Sequence, residues 1–445
     1  MEPIKPTATL TSKIGDQHEP ADGDAANGTI GGLPFHLTER ILRLISPLES
    51  APLAAVCKSW AATISERLAT PTPHLFALEV FDEGEYLLDL LFLPDLERCR
   101  GAVFSVPVDD EVSPAPVIPA RLPAVLSHAE DDKIRLSGAL PCGGLSFAEG
   151  NRVVLVNPVT GAFESIEMYP PRNRVLIPPT VRAAAGADAF FVSLHFERTV
   201  SLRWREEDEW TERKLLLPEE CGGAINLVAY SGGIFYAMEF FGFTNTVDTR
   251  SPPPWRLMRL RAPSILRQYS PIGRYRYLQN CHLLQSEGEI MFVGPVLAPD
   301  EPRCPNTIGG FEVYKLDLGG PRWVKVERLA DDRALFVSEQ SSFAVRASET
   351  PRCRANCIYF VSASETPRCR ANCIYFVSEL DEHSYSHNTW GVYSMEEQKV
   401  LFQRPIGGSQ GKYKAARWFI PVVSASPACS VNCANSGKKR KIQML

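Results

Sequence analysis

No stretch of this chain is apolar for long enough to cross a bilayer as a helix. Residues 1–30 carry Glu2, Asp16, Glu19, Asp22 and Asp24 and no apolar run, so neither a secretory signal nor an Arg-rich, acid-poor transit peptide fits. A strong charge of either sign is missing too. A formal net charge of −5 over 445 residues leaves no electrostatic footprint for nucleic acid. Neither a membrane nor a nucleic-acid partner is expected. An intracellular protein is expected, with its twelve cysteines mostly as reduced thiols.

Chemistry-bearing motifs are equally scarce. The chain has no phosphate-cradling GxxxxGKS/T, no HExxH and no GxSxG. Its eight histidines are scattered, and the i, i+4 pair His383 and His387 sits in a polar stretch with no third ligand apparent. Acidic pairs such as Glu206-Glu207 and Asp331-Asp332 fall in turn-like contexts, where solvated charge belongs. Cys353, Cys357, Cys369 and Cys373 superficially suggest zinc, but CxxxC is looser than the CxxC knuckle and each second cysteine opens the apolar run IYFV. Cys429 and Cys433 repeat that spacing with no histidine nearby. These are read as structural thiols. No catalytic residue, metal site or cofactor is assigned.

What the chain does contain begins at residues 33–64. Leu33-Pro34 places a proline where a helix can begin, since the first helical N–H has no partner to lose. Leu37, Ile41, Leu44 and Leu48 recur at i, i+4, i+7 and i+11. The pattern breaks at Ser46-Pro47 and resumes after Pro52 with Leu53, Val56, Trp60 and Ile64. Two or three short helices are predicted. Roughly thirty residues in such helices cannot enclose a core of their own, so their apolar faces need cover from something else.

Leu33-Pro34, Ile41-Leu42, Leu48, Leu53 and the run Val56-Cys57-Lys58-Ser59-Trp60 resemble the F-box. That resemblance implies docking onto the small helical adaptor subunit of a cullin-RING ubiquitin ligase, with this chain choosing the substrate. Leu33, Pro34, Leu37, Ile41, Leu42, Ile45, Leu53, Val56, Cys57 and Trp60 are the adaptor-binding residues it implies. Pro47 and Pro52 crowd the middle of the motif and shorten its second helix.

From His74 the texture changes. Short β-branched and aromatic runs alternate with turn residues: 152–156 before Asn157-Pro158-Val159-Thr160-Gly161, then 190–196, 225–230, 234–241, 289–293, 311–316, 358–361 and 390–393. Such spacing is what an all-β repeat architecture requires, with two large sandwiches as the competing arrangement. A Trp-bearing strand is predicted after each of the polar turns 205–209, 248–254 and 317–321, at Trp210, Trp255 and Trp323. A β-propeller of about six or seven blades fits residues 75–424, with these aromatics packed between blades.

Residues 151–161 (NRVVLVNPVTG), 282–292 (HLLQSEGEIMF), 311–317 (FEVYKLD), 334–337 (ALFV) and 372–376 (NCIYF) resemble the β-propeller domain, long of unknown function, that follows the F-box in a large plant family. Residues 391–393 (GVY) and 418–421 (WFIP) resemble its closing strands. One departure stands out: residues 347–362 (ASETPRCRANCIYFVS) recur unchanged as 363–378. Identity at every position marks a recent in-frame duplication or a gene-model error, and only one copy is expected in the blade.

The expected layout is a disordered leader (1–30), F-box helices (31–72), a propeller (75–424) and a basic tail (425–445) ending in Lys438, Lys439, Arg440 and Lys441. These four cations resemble a nuclear-import signal and equally fit a solvated basic end, so nucleus and cytoplasm are both open. The expected function is a non-catalytic substrate receptor that joins the ligase adaptor to a target protein. Two rivals stand beside it: an enzyme or small-ligand propeller with incidental helices, and a propeller scaffold whose weak F-box does not engage the ligase.

Overall fold

A computed structural model describes residues 35–421 except for internal stretches, chiefly 81–98, 106–115, 127–134, 168–179, 194–198, 217–224, 270–277, 298–307 and 365–386. The leader, the basic tail with Lys438–Lys441, Leu33, Pro34, His383 and the four cysteines from Cys369 onward lie outside the described residues.

Three helices open the described chain: α1 (Phe35–Arg43), α2 (Pro47–Ser50) and α3 (Lys58–Ala69). Helix α1 begins directly after Pro34, and α2 begins on Pro47, where a missing N–H costs nothing. Only four residues long, α2 ends just before Ala51-Pro52, as a proline inside a helix requires.

Among the described residues six sheets follow, five of four strands and one of five. Blade 1 holds His74–Val80, Cys99–Ser105 and Pro116–Pro119, with Ala415–Phe419 as its inner strand. Blades 2 to 5 take their strands in order from within 135–167, 180–216, 225–259 and 282–326. Each inner strand lies against that of the next blade, from Ala415–Phe419 through Arg135–Ala139, Thr180–Ala184, Ile225–Ser231, His282–Ser286 and Ser341–Arg346 back to the first. The ring therefore closes, and the sandwich arrangement is set aside.

Closure comes from pairing the two ends of the sheet region, with Leu75 opposite Trp418 and Phe76 opposite Arg417. Apolar clusters then fill the gaps between blades. Leu75, Phe336, Trp390 and Trp418 join blades 6 and 1, and Phe311, Leu335, Ile358 and Tyr393 join blades 5 and 6. Across blades 2 and 3 a polar contact is built instead: Arg205 pairs with Glu164, whose other carboxylate oxygen accepts from Trp210 Nε1 at 2.8 Å.

Turn chemistry explains several hairpins. Between Ser231 and Ile234, Gly232 and Gly233 both take positive φ (56° and 86°), the tight two-residue turn whose twist suits flanking strands. Strand 234–241 was expected to be longer than it is. It ends at Glu239, because Gly242, at φ 77°, turns the chain and its N–H donates to Glu239 O at 2.7 Å. Trp210 and Trp323 lie on strands as expected, but Trp255 does not. Pro252, Pro253 and Pro254 have no N–H for a ladder, so the strand forms only at Met258–Arg259. Trp255 still packs between blades, 5.4 Å from the Trp204 ring of blade 3.

Blade 6 has the order Ser341–Arg346, Arg333–Ser338, Cys357–Ser364, His387–Ser394, Lys399–Pro405. The first copy of the duplicated segment supplies its middle strand, parallel to Arg333–Ser338 and antiparallel to His387–Ser394. Ala363 and Ser364, the first residues of the second copy, extend that strand; the remainder to residue 378 lies outside the described residues.

Candidate functional site

The helices divide their apolar side chains into two sets. Leu42 (0% exposed), Trp60 (8%) and Ile64 (0%) form a small core with the half-buried Ile45, Leu53, Cys57 and Leu68 around it. Arg67 Nη2 donates to Ile45 O at 2.9 Å and so ties the end of α3 to the link between α1 and α2. Burial pushes the Arg67 guanidinium below its usual range. The second set faces out: Leu37 and Ile41, one turn apart on α1, are each 37% exposed, and Val56 is 62% exposed.

Of these residues, the F-box resemblance assigns Leu37, Ile41, Leu42, Ile45, Leu53, Val56, Cys57 and Trp60 to adaptor binding. Leu42 and Trp60 are instead interior, because α1 and α3 cover one another. Among the described residues so assigned, Leu37, Ile41 and Val56 are the exposed ones. Eight large apolar side chains are exposed among the described residues, and these three fall between positions 37 and 56. Leu37 and Ile41, a turn apart on α1, form an exposed apolar pair.

A second candidate is the axial cavity of about 250 Å³. Inner-strand residues such as Ala139, Val228, Tyr230, Leu284 and Phe343 line it, with His282 and Ser342 among them. The Ser342 hydroxyl lies 3.2 Å from His282 Nδ1 and also reaches Ser338 O at 3.3 Å. Burial pushes the His282 pKa down to about 4, while nearby Glu339 pulls it up and Arg417 pulls it down. Gln285 is turned to its own hairpin, where its amide oxygen accepts from Gly288 N–H at 2.6 Å. The serine and histidine are thus in contact, but the imidazole is a weak base, and Arg417 holds Glu339 at 2.8 Å. A nucleophile needs a stronger base, itself oriented by a third group.

Cys353 and Cys357, read from the sequence as structural thiols, lie at the edge of the cluster joining blades 6 and 1 and within it. Burial raises both pKa values, that of Cys353 to about 12, so the thiolate that a metal requires is disfavoured. One group of ion pairs joins neighbouring blades. Arg333 donates to Glu289 at 2.9 Å and to Glu287 at 2.8 Å, from blade 6 to blade 5. Sequence reasoning had no signal for His282 beside Ser342, sixty positions apart, since neither stands in a motif.

Residues 119–362, more than half of the chain, match the family model described as the KIB1-4 beta-propeller. The chain belongs to that family. Two Arabidopsis thaliana proteins are similar to it: an F-box protein, 50% identical over 59 residues, and a putative F-box protein, 34% identical over 118 residues. The matched stretches are 13% and 26% of this chain and 17% and 31% of those proteins. The chain thus spans under a third of either relative. Family and relatives together bear out the resemblance to a plant F-box protein with a β-propeller. Among solved structures, a protein of unknown function from Bacteroides caccae is 10% identical, with a TM-score of 0.38 over 78% of this chain and 99% of that one. The Dos1 propeller is 11% identical, with a TM-score of 0.28 over 62% and 63% of the two chains.

Proposed function

We propose that this KIB1-4 beta-propeller protein is the substrate-recognition subunit of an SCF-type cullin-RING ubiquitin ligase. Its helices dock on the ligase's helical adaptor and its propeller loops hold a target protein. The observation that carries this reading is the exposed apolar pair Leu37 and Ile41 on α1, with the exposed Val56 in the link before α3, beside an interior that Leu42, Trp60 and Ile64 already close. The names of the Arabidopsis relatives support it. The chain supplies no acid or base under this reading. Its contribution is proximity, which raises the effective concentration of target lysines near the ubiquitin-loaded enzyme. Nuclear and cytoplasmic pools are both proposed, with Lys438, Lys439, Arg440 and Lys441 as the import signal.

A second reading has an observation of its own. Pro47 and Pro52 leave α2 only four residues, which favours a scaffold whose reduced F-box does not engage the ligase. Co-purification of the full chain with the adaptor separates the two. Wild type is expected to bind, and Leu37→Asp with Ile41→Asp to lose binding while keeping its β-rich circular dichroism spectrum. A folded, monodisperse wild-type chain that does not retain the adaptor would establish the scaffold reading instead.

A further inference from the structure

Leu48 is carried on α2 but packs with the propeller. It is 1% exposed and belongs to the cluster that joins blades 1 and 2, with Phe76, Val103, Leu126, Phe147 and the half-buried Ile118. Helix α2 lies directly against the outer strand of blade 1, Pro116–Pro119. The helices' own core, Leu42, Trp60 and Ile64, contains no propeller residue, so the apolar hold on the propeller runs through Leu48. A second tie is covalent: α3 ends at Ala69, and the first strand of blade 1 begins at His74. Pro71 and Pro73 stand in that short link, each with φ restricted by its ring. His74 Nδ1 lies 2.9 Å from Thr72 O at its end.

We infer that Leu48 is a positioning residue, seating the helices on blades 1 and 2 so that helices and propeller move as one body. A single tether would leave the helices free to swing about residues 70–73. Two attachments, one on α2 and one after α3, remove that freedom. The exposed Leu37 and Ile41 of α1 then keep one orientation toward the propeller loops, and whatever each surface binds is held at a set separation. Proximity of this kind is lost when the connection between two binding surfaces is loose. That the oriented face meets a ligase adaptor rests on the function proposed above; the seating itself does not.

Fluorophores placed on the full chain at the exposed positions Arg40 and Met258 report the orientation by single-molecule energy transfer. Wild type is expected to give one narrow distance, Leu48→Asp to lose that single population, and Leu48→Met to restore it. Adaptor retention and the melting of the β signal should be the same for Leu48→Asp and wild type. A merely structural role for Leu48 would move the melting and leave the distance narrow. If Leu48→Asp unfolds the blades, Leu48→Ala decides by the same reading, broad in support and narrow against. A broad wild-type distribution, or a narrow one in every folded variant, overturns the inference. A wild-type chain that shows one narrow distance but binds no adaptor overturns the ligase reading and leaves the seating intact.

Discussion

His282 has a free imidazole value near 6.5, yet at the inner edge of blade 5 burial holds it at about 4. Between those values the unfolded chain binds a proton that the folded chain refuses. Stability is therefore full above about pH 6.5 and drains away as the pH falls toward 4. His282→Gln removes the titrating group while leaving Glu339 and Arg417 in place. The prediction is a flatter dependence of melting temperature on pH across that window, by at most about 3 kcal/mol at its acid end. Equal slopes for wild type and variant would mean that the imidazole stays solvated. Little of this was legible in the sequence: His282 opens an apolar strand, and the pattern showed the strand without showing which atoms surround the ring.

At the scale of elements, most strands could be read because alternation and turn residues are local. Asn157 accepts from the N–H groups of Val159 (3.0 Å) and Thr160 (3.2 Å), so the turn that ends strand 152–156 is written in five adjacent residues. Trp255 shows the limit, since three prolines outweigh an aromatic cue. The duplicated segment carries the element-scale prediction. Because the copies are identical, deleting residues 363–378 or 347–362 yields the same chain. In the first case Glu379 and Leu380 replace Ala363 and Ser364 in register with Asn388 and His387, and the connection shrinks from 365–386 to 381–386. Shorter closure favours folding by about 1 kcal/mol if nothing else changes. Thermal stability should be kept or raised. A clear loss, or one equivalent of zinc bound by wild type and absent after deletion, would give the second copy a role of its own.

For the whole molecule, ring closure rests on one short strand. Ala415–Phe419 supplies the inner edge of blade 1, and Trp418 (0% exposed) sits between blades 1 and 6, its ring 5.1 Å from that of Phe336. Ser338 Oγ accepts from Trp418 N–H at 3.1 Å, and Arg417 reaches Leu136 O and Glu339, so this strand joins three blades. Ending the chain before Ala415 should abolish cooperative unfolding, measured by circular dichroism, and yield aggregated protein. A truncated chain that melts like wild type would sink the closed-ring account.

Alternation, turn residues and proline placement are properties of neighbouring positions, so the sequence by itself determined the short helices, the run of strands, the all-β repeat and the likeness to F-box proteins. Only the tertiary structure decided that the ring closes at six blades, that the first copy of the duplicated segment fills blade 6, and that Leu42 and Trp60 are interior while Leu37, Ile41 and Val56 face out. It also decided that Leu48 belongs to the propeller. The reason is physical: which face of an amphipathic element is covered depends on partners that are distant in the chain, and Leu48 meets Phe147 only because blades 1 and 2 bring them together.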